Sequence, residues 1–335
     1  PVPMHLDQKD SAALQTYLAR KGWISDNEAL LTLSKPGEGN MNYTLRVRTA
    51  TRSLIVKQAR GYVEKYPTIA APTERAQLEG LFYCEIARNP DLRRSMPELL
   101  GSDEAENLLV LEDLGDSADF LSCYQPGAVL DHTHVEALVT YLSILHNQFL
   151  AERPNPAFAN RGMKALNHEH IFIYPFLVDN GFDLDNVQPG LQVLAMPYKQ
   201  NSALVEAARQ LGQRYLSDRE GSPVTLLHGD YYPGSWLQVG SEVKVIDPEF
   251  CFYGPAEFDL GVMLAHLHLA QQPEAIHEQV RVGYVRPAGF DEDLLRQFTG
   301  IEIMRRLIGL AQLPLPLSLP EKEQLMQLGN KLVMS

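Results

Sequence analysis

The sequence predicts an α+β chain in two lobes, a small antiparallel sheet first and a mainly helical part after it. Three observations carry this. Apolar runs at 30–33, 42–48 and 53–58 alternate or cluster between turn signals and follow one another over tight links, the pattern of an antiparallel meander. Helical spacing takes over later, most clearly from Val135 to Phe149. Between these regions Glu112-Asp113-Leu114-Gly115 ends the last strand-like run and reads as a hinge, dividing the chain into residues 1–112 and 113–335.

Composition bounds the function. The 335 residues, 45% hydrophobic and 21% charged, suffice for a large core or two lobes. Twenty-nine basic against 42 acidic side chains leave a formal charge of −13, which argues against a phosphate-tracking surface and so against nucleic acid as a partner. The cysteines, Cys84, Cys123 and Cys251, are odd in number with no CxxC pair, a pattern of reduced thiols rather than of a disulfide framework. The first residues lack a basic start and an apolar signal core. The apolar run at 260–270 is too short and too histidine-rich to span a bilayer, so a cytoplasmic protein without a membrane partner is expected.

Taken in order, Ser11 to Lys21 has the spacing of a short amphipathic helix closed by Gly22, with Leu14, Tyr17 and Leu18 on one side. In the link Lys35-Pro-Gly-Glu-Gly-Asn-Met-Asn42, Gly37 and Gly39 let backbone N–H groups approach a phosphate, and Asn40 and Asn42 add side-chain donors. Such a stretch is more often a plain hairpin turn. Lys57 sits among apolar residues in Leu54-Ile-Val-Lys-Gln58, either as an inward fixed cation or, more commonly for a lone lysine, as a solvent-facing one. Thr73 to Arg88 shows a helical stripe of Leu78, Leu81, Phe82 and Ile86. Glu79 and Glu85 border it, and either offers a buried lysine its carboxylate. Pro97 to Leu100 and Asn107 to Leu111 read as two further strands. Helices are expected at 135–149, 201–216, 260–270 and 298–313, with a loop at 151–162, a Leu/Pro break at 313–320 and a closing helix from Glu321.

The chemistry concentrates between Thr225 and Gly261. Two short apolar runs, Leu226-Leu227 and Val243 to Ile246, each end in an acidic loop, His228-Gly229-Asp230 and Asp247-Pro248-Glu249, and Asp259 follows. Carboxylates on loops at neighbouring strand ends suit the holding of a metal ion against a phosphate while another carboxylate handles a hydroxyl proton. Asp247 and Glu249, two apart on extended backbone, point the same way and offer hard oxygen ligands. Any one of these acids alone is better read as a turn or cap residue; their joint appearance in order reverses that weighting. The histidine pairs His132/His134, His168/His170 and His266/His268 lack the spacing and the nearby cysteines of a zinc site.

The sequence of Gly/Asn loop, strand lysine, helix glutamate, hinge, HGD loop and DPE loop resembles the protein-kinase-like small-molecule kinases, the superfamily of aminoglycoside phosphotransferases and choline kinases. Within it the wording is most similar to the methylthioribose kinase family, in GEGNMNYTLRV at 37–47, LIVKQA at 54–59, HGDxxxGS at 228–235, DPEFxFYGPxxFD at 247–259 and Glu302-Ile-Met-Arg-Arg-Leu-Ile-Gly-Leu-Ala311. The resemblance implies a bilobal protein-kinase-like fold and ATP- and Mg²⁺-dependent phosphorylation of a small-molecule hydroxyl acceptor. It implies Asp230 as the catalytic acid/base, Gly37, Gly39, Asn40, Asn42, Lys57, Glu79, Glu112 and Leu114 for ATP, and Asp247 and Glu249 for the metal. Arg305 and Arg306 would bind substrate, and His228 and Asp259 would brace the loop. Ser235 stands where many relatives carry a metal-binding asparagine and the methylthioribose kinases carry serine. Tyr231-Tyr232-Pro233 departs from the Leu-His-Thr that follows HGD in that family. The expected acceptor is 5-methylthioribose or a similar sugar. The rivals are a cationic acceptor of aminoglycoside or choline type, a catalytically silent nucleotide-binding scaffold, and a two-metal phosphohydrolase; a homodimer is kept open.

Overall fold

The computed structural model describes residues 3–37, 39, 41–217 and 222–335; Asn40, one of the expected nucleotide contacts, lies outside them. The chain forms two compact units, Pro1–Ser117 with Lys244–Glu249, and Ala118–Val243 with Phe250–Ser335. This differs from a division after Glu112. Asp113 belongs with the first unit because its carboxylate accepts hydrogen bonds from Arg46 Nε (2.9 Å) and Ser53 Oγ (2.5 Å) of the sheet. The Asp247-Pro248-Glu249 loop belongs there too, preceded by Val245, whose N–H donates to Ser95 O at 2.7 Å.

In the first unit, α1 (Ser11–Arg20) starts where the Asp10 side chain accepts from Ala13 N, and buries Leu14, Tyr17 and Leu18. Then come β1 (Thr32–Ser34), β2 (Tyr43–Arg48), β3 (Ser53–Gln58), the short hairpin β4 (Tyr62–Val63) and β5 (Tyr66–Ala70), α2 (Arg75–Ile86), α3 (Pro90–Arg94), β6 (Leu99–Asp103) and β7 (Leu108–Glu112). The main sheet is antiparallel in the order β1-β2-β3-β7-β6. Leu45, Val47, Leu54, Val56, Leu108 and Val110 pack on Leu14 and Leu18 of α1. Lys57 falls on the opposite pleat, facing Thr44 and Leu109 in register, on the side where Leu109 packs with Ala76 of α2.

The α2 face departs from the expected stripe. Leu78 and Leu81 are only partly buried, whereas Arg75, Glu79, Phe82, Tyr83 and Ile86 are buried. The helix turns two charged residues inward because both find buried partners, described below, and the leucines occupy its flanks. The β4–β5 hairpin and α3 were not expected.

In the second unit β8 (Ala118–Asp119) precedes α4 (His132–Gln148) and α5 (Arg161–His168), which continues into a single wider turn at Glu169–Ile173. The expected loop at 151–162 thus ends two residues into α5. Next are α6 (Leu191–Lys199), α7 (Ser202–Leu216), β9 (Thr225–Leu227), β10 (Trp236–Val239) and β11 (Glu242–Val245), which carries the chain back to the first unit. After β12 (Phe252–Gly254) come α8 (Ala256–Leu269), α9 (Glu274–Gly283), α10 (Glu292–Ile308) and α11 (Leu319–Met334). β9 pairs antiparallel with β12, and β8 with β10. Helix α10 begins six residues before the expected 298, because Asp291 accepts from Asp293 N and Leu294 N. It stops at Ile308 rather than Leu313, where Gly309 N bonds back to Arg305 O. A capping box of Ser318 and Glu321 starts α11.

Gly101 allows β6 to lie against the indole of Trp23; a Cβ there would overlap the ring. Gly101→Ala is expected to push Trp23 outward at a cost of about 1–3 kcal/mol. A lower Tm and a red-shifted tryptophan emission check this, since the other tryptophan, Trp236, is fully buried.

Candidate functional site

The first unit assembles a charged cluster around Lys57. This ammonium, on a strand that otherwise buries apolar residues, lies 3.0 Å from Glu79 Oε1 of α2 and 2.6 Å from Asp247 Oδ1. Its side chain is 7% exposed. Burial opposes the charge, but Asp247, Glu79 and Glu249 outweigh it and push the Lys57 pKa up. Burial in turn pushes the Glu79 carboxyl up to about 7 against the pull of Lys57. Glu79, and not Glu85, is therefore the partner: Glu85 pairs with Arg88 at 3.2 Å.

Glu249 is buried, and burial raises its pKa despite Lys57 and Arg75. Asn42 Nδ2 donates to Glu249 Oε2 at 2.7 Å while Asn42 Oδ1 accepts from Arg75 Nε at 2.8 Å, so this amide is committed inside the protein. Asp247 is half-exposed and holds φ +59°, a left-handed backbone that few non-glycine residues adopt. Gly37 and Gly39 line an open cleft of about 560 Å³ together with Lys35, Tyr43 and Lys65. Glu112 is exposed, with its carboxylate accepting from Glu98 N, and Leu114 is partly buried.

Asp247 and Glu249 suit a hard cation chemically. Among the described residues no group of three or more His, Cys, Asp or Glu could hold a metal ion. Two carboxylates are compatible with Mg²⁺, which takes one or two and fills its remaining positions with phosphate and water.

The second unit holds Asp230, carried on a loop fixed by one buried carboxylate. Asp259, the fourth residue of α8 and fully buried, accepts from His228 N (2.8 Å), Gly229 N (3.0 Å) and His146 Nε2 (2.9 Å). His146 Nδ1 lies 2.8 Å from Tyr284 OH. Asp230 N donates to His228 Nδ1 at 3.2 Å, and Ser235 Oγ donates to Asp230 O at 2.9 Å. Gly229 has φ +87°, and a Cβ there would overlap the Phe250 carbonyl, so the loop requires glycine.

Arg305 and Arg306 meet on Glu302, which precedes them by three and four residues on α10. Each donates from Nε at 2.9 Å. Glu302 also accepts from His266 Nε2 at 2.9 Å, which leaves His266 Nδ1 to accept from Tyr124 OH at 2.6 Å. Burial works against the Glu302 carboxylate, yet Arg305, Arg306 and His266 hold it well below the usual range. Burial, joined by the two arginines, holds His266 down at about 4 and hence neutral. Arg306 donates onward to Ala311 O, stacks under the Tyr232 ring at 4.7 Å, and brings Nη2 to 3.7 Å from Asp230 Oδ1. Among the described residues Arg305 Nη1 and Nη2 have no acceptor.

Arg75, His146, Glu302, His266 and Tyr124 carry no expected site role from the sequence, where His266 is only set aside as a zinc ligand and Glu302 only opens the arginine phrase. Arg75 stands four residues before Glu79, and Glu302 one turn before the arginines, so helical spacing would have flagged both. The pairings of His146 and His266 span more than a hundred residues for the partners Asp259 and Tyr124 and leave no local signal.

A family model described as "Phosphotransferase enzyme family" matches residues 32–298, well over half of the chain. Similar proteins include methylthioribose kinase of Bacillus cereus, 28% identical over 249 residues, covering 70% of this chain and 59% of that protein. The match thus spans less than two thirds of that relative. Methylthioribose kinase of Geobacillus kaustophilus is 28% identical over 327 residues, covering 82% and 78%. Choline kinase of Streptococcus pneumoniae has the same fold at 14% identity, with a TM-score of 0.54 over 96% of this chain and 98% of that one. The α+β, protein-kinase-like fold expected from the motifs is the fold observed, and the chain belongs to the phosphotransferase enzyme family.

Proposed function

We propose that the chain transfers the terminal phosphoryl group of ATP to a hydroxyl of a small metabolite, 5-methylthioribose or a similar sugar, in a Mg²⁺-dependent reaction. The observation that carries this reading is the buried Lys57 ammonium, shared between Glu79 of a helix and Asp247 of an acidic loop. A buried cation held so rigidly is costly as mere scaffolding and well suited to fixing phosphate oxygens. A two-metal hydrolase would leave it without a use.

In this reading Lys57, oriented by Glu79, and the backbone around Gly37 and Gly39 bind the triphosphate, with Glu112 at the end of β7 and Leu114 after it for the base. Asp247 and Glu249 hold the magnesium ion, which supplies charge neutralisation on the phosphates. Asp230 orients the acceptor hydroxyl and takes its proton as the acceptor oxygen bonds to the γ-phosphorus and the bond to ADP breaks. His228 and Asp259 keep the loop of Asp230 in place. Arg305 offers its two free Nη groups to acceptor oxygens, while Arg306, tied to Glu302 and near Asp230, orients the carboxylate. Two guanidiniums in the unit of Asp230, one of them 3.7 Å away, oppose a cationic acceptor and favour a sugar.

ADP release from MgATP, measured over methylthioribose, other pentoses, choline and aminoglycosides, tests this. The expected result is release dependent on a sugar and lowered by roughly 10²–10⁴-fold in Asp230→Asn. Nucleotide binding without turnover on the whole panel would overturn it in favour of a silent scaffold, and acceptor-independent phosphate release in favour of a hydrolase.

Glu302 adds a stability signature. Its folded pKa is depressed, so its contribution is present above its ordinary value of 4.5 and is lost as pH falls below it. Glu302→Gln strands two buried guanidiniums and is expected to cost on the order of 3 kcal/mol near pH 7. Melting curves taken down through that acid range should fall less steeply for the variant than for the parent.

A further inference from the structure

We propose that Arg75 is a positioning residue that locks the phosphate-binding loop to the metal-ligating Glu249, so that the two respond to ligand as one body. This rests on the nucleotide and metal roles proposed above for that half of the site.

Arg75 is fully buried at the start of α2, an unusual place for a guanidinium. All five of its N–H groups are used. Nε donates to Asn42 Oδ1 (2.8 Å), Nη1 to Arg60 O (2.8 Å) and Pro72 O (2.6 Å), and Nη2 to Met41 O (3.0 Å) and Tyr62 O (3.4 Å). Met41 and Asn42 end the Gly/Asn loop, Arg60 and Tyr62 lead into the β4–β5 hairpin, and Pro72 precedes the helix. One planar group thus holds three separate segments.

The link to Glu249 is direct. Glu249 Oε2 lies 3.6 Å from Arg75 Nε, and Asn42 fills the gap, its oxygen on the arginine and its nitrogen on the carboxylate. The hydrogen-bond directions admit no other orientation of the amide, since the guanidinium only donates and the carboxylate only accepts. Movement of Glu249 towards a divalent ion therefore draws on Asn42, and through Arg75 on the Met41 carbonyl. A scaffold role alone would need the four carbonyls but not the Asn42–Glu249 arm. Lysine cannot reproduce this, because its three donors radiate from one atom and lack the fork.

The measurable consequence is a coupling between metal and nucleotide. ADP affinity is measured by calorimetry with and without Mg²⁺ in the parent, Arg75→Lys, Glu249→Gln and the double variant. The parent is expected to bind ADP more tightly with Mg²⁺. Arg75→Lys should reduce that enhancement by about tenfold. Adding Arg75→Lys to Glu249→Gln should reduce it no further, because Glu249→Gln already removes the metal-holding carboxylate on which the linkage acts. An enhancement within about twofold of the parent in folded Arg75→Lys, or multiplying effects in the double variant, would overturn the inference alone. Where circular dichroism shows Arg75→Lys unfolded, Asn42→Ala is read by the same criteria, since it leaves the guanidinium on its four carbonyls. A parent that binds no ADP overturns the phosphotransferase reading, and this inference with it.

Discussion

The constraint on which the rest turns is that a charge taken out of water must be met by opposite charge and by hydrogen bonds with good geometry. Lys57 imposes it on the first unit. Its ammonium, on the pleat of β3 opposite the apolar core, obliges α2 to turn Glu79 inward and the loop after β11 to bring Asp247 within 2.6 Å. Burial, with a smaller part from the neighbouring carboxylates, raises Glu79 and Glu249 above their ordinary range against the pull of Lys57. Arg75 then answers Glu249 from the same helix. The cluster is a chain of obligations that begins with one lysine, and it accounts for a helix whose inner face is half ionic.

Two buried carboxylates of the second unit, Asp259 and Glu302, obey the same constraint with the signs exchanged, each satisfied by three donors. Asp259 takes two from the backbone N–H groups of 228 and 229, so the path of the loop is set by a side chain rather than by strand pairing. Glu302 uses its acceptors on two arginines and a neutral histidine, which fixes where both guanidiniums point. In both cases a tyrosine hydroxyl meets the far ring nitrogen of the histidine.

Much of this was legible in the sequence, and the reasons for the remainder are physical. The meander could be read because strand alternation and Gly/Asn links are local, and the acidic loops because their residues are contiguous. The inner face of α2 is not its leucine stripe, because Arg75 and Glu79 win the inner positions only when Asn42, Glu249 and Lys57 arrive from elsewhere in the chain. The start of α10 at Glu292 was written in the cap of Asp291, but weaker apolar spacing in its first two turns hid it. The partnership of Asn42 with Glu249 joins residues 207 apart, and no periodicity reports contacts of that kind.

The left-handed backbone of Asp247 has a consequence for which residues this position tolerates. Two independent filters act there. The conformation at φ +59° admits glycine readily, asparagine and aspartate with small penalty, and β-branched or bulky residues only under strain. The ammonium 2.6 Å away asks for a negative charge. Glycine and asparagine pass the first filter and fail the second, while glutamate meets the charge but at a backbone cost. Aspartate alone passes both, so its identity at 247 is dictated by the resting fold before any ligand is considered.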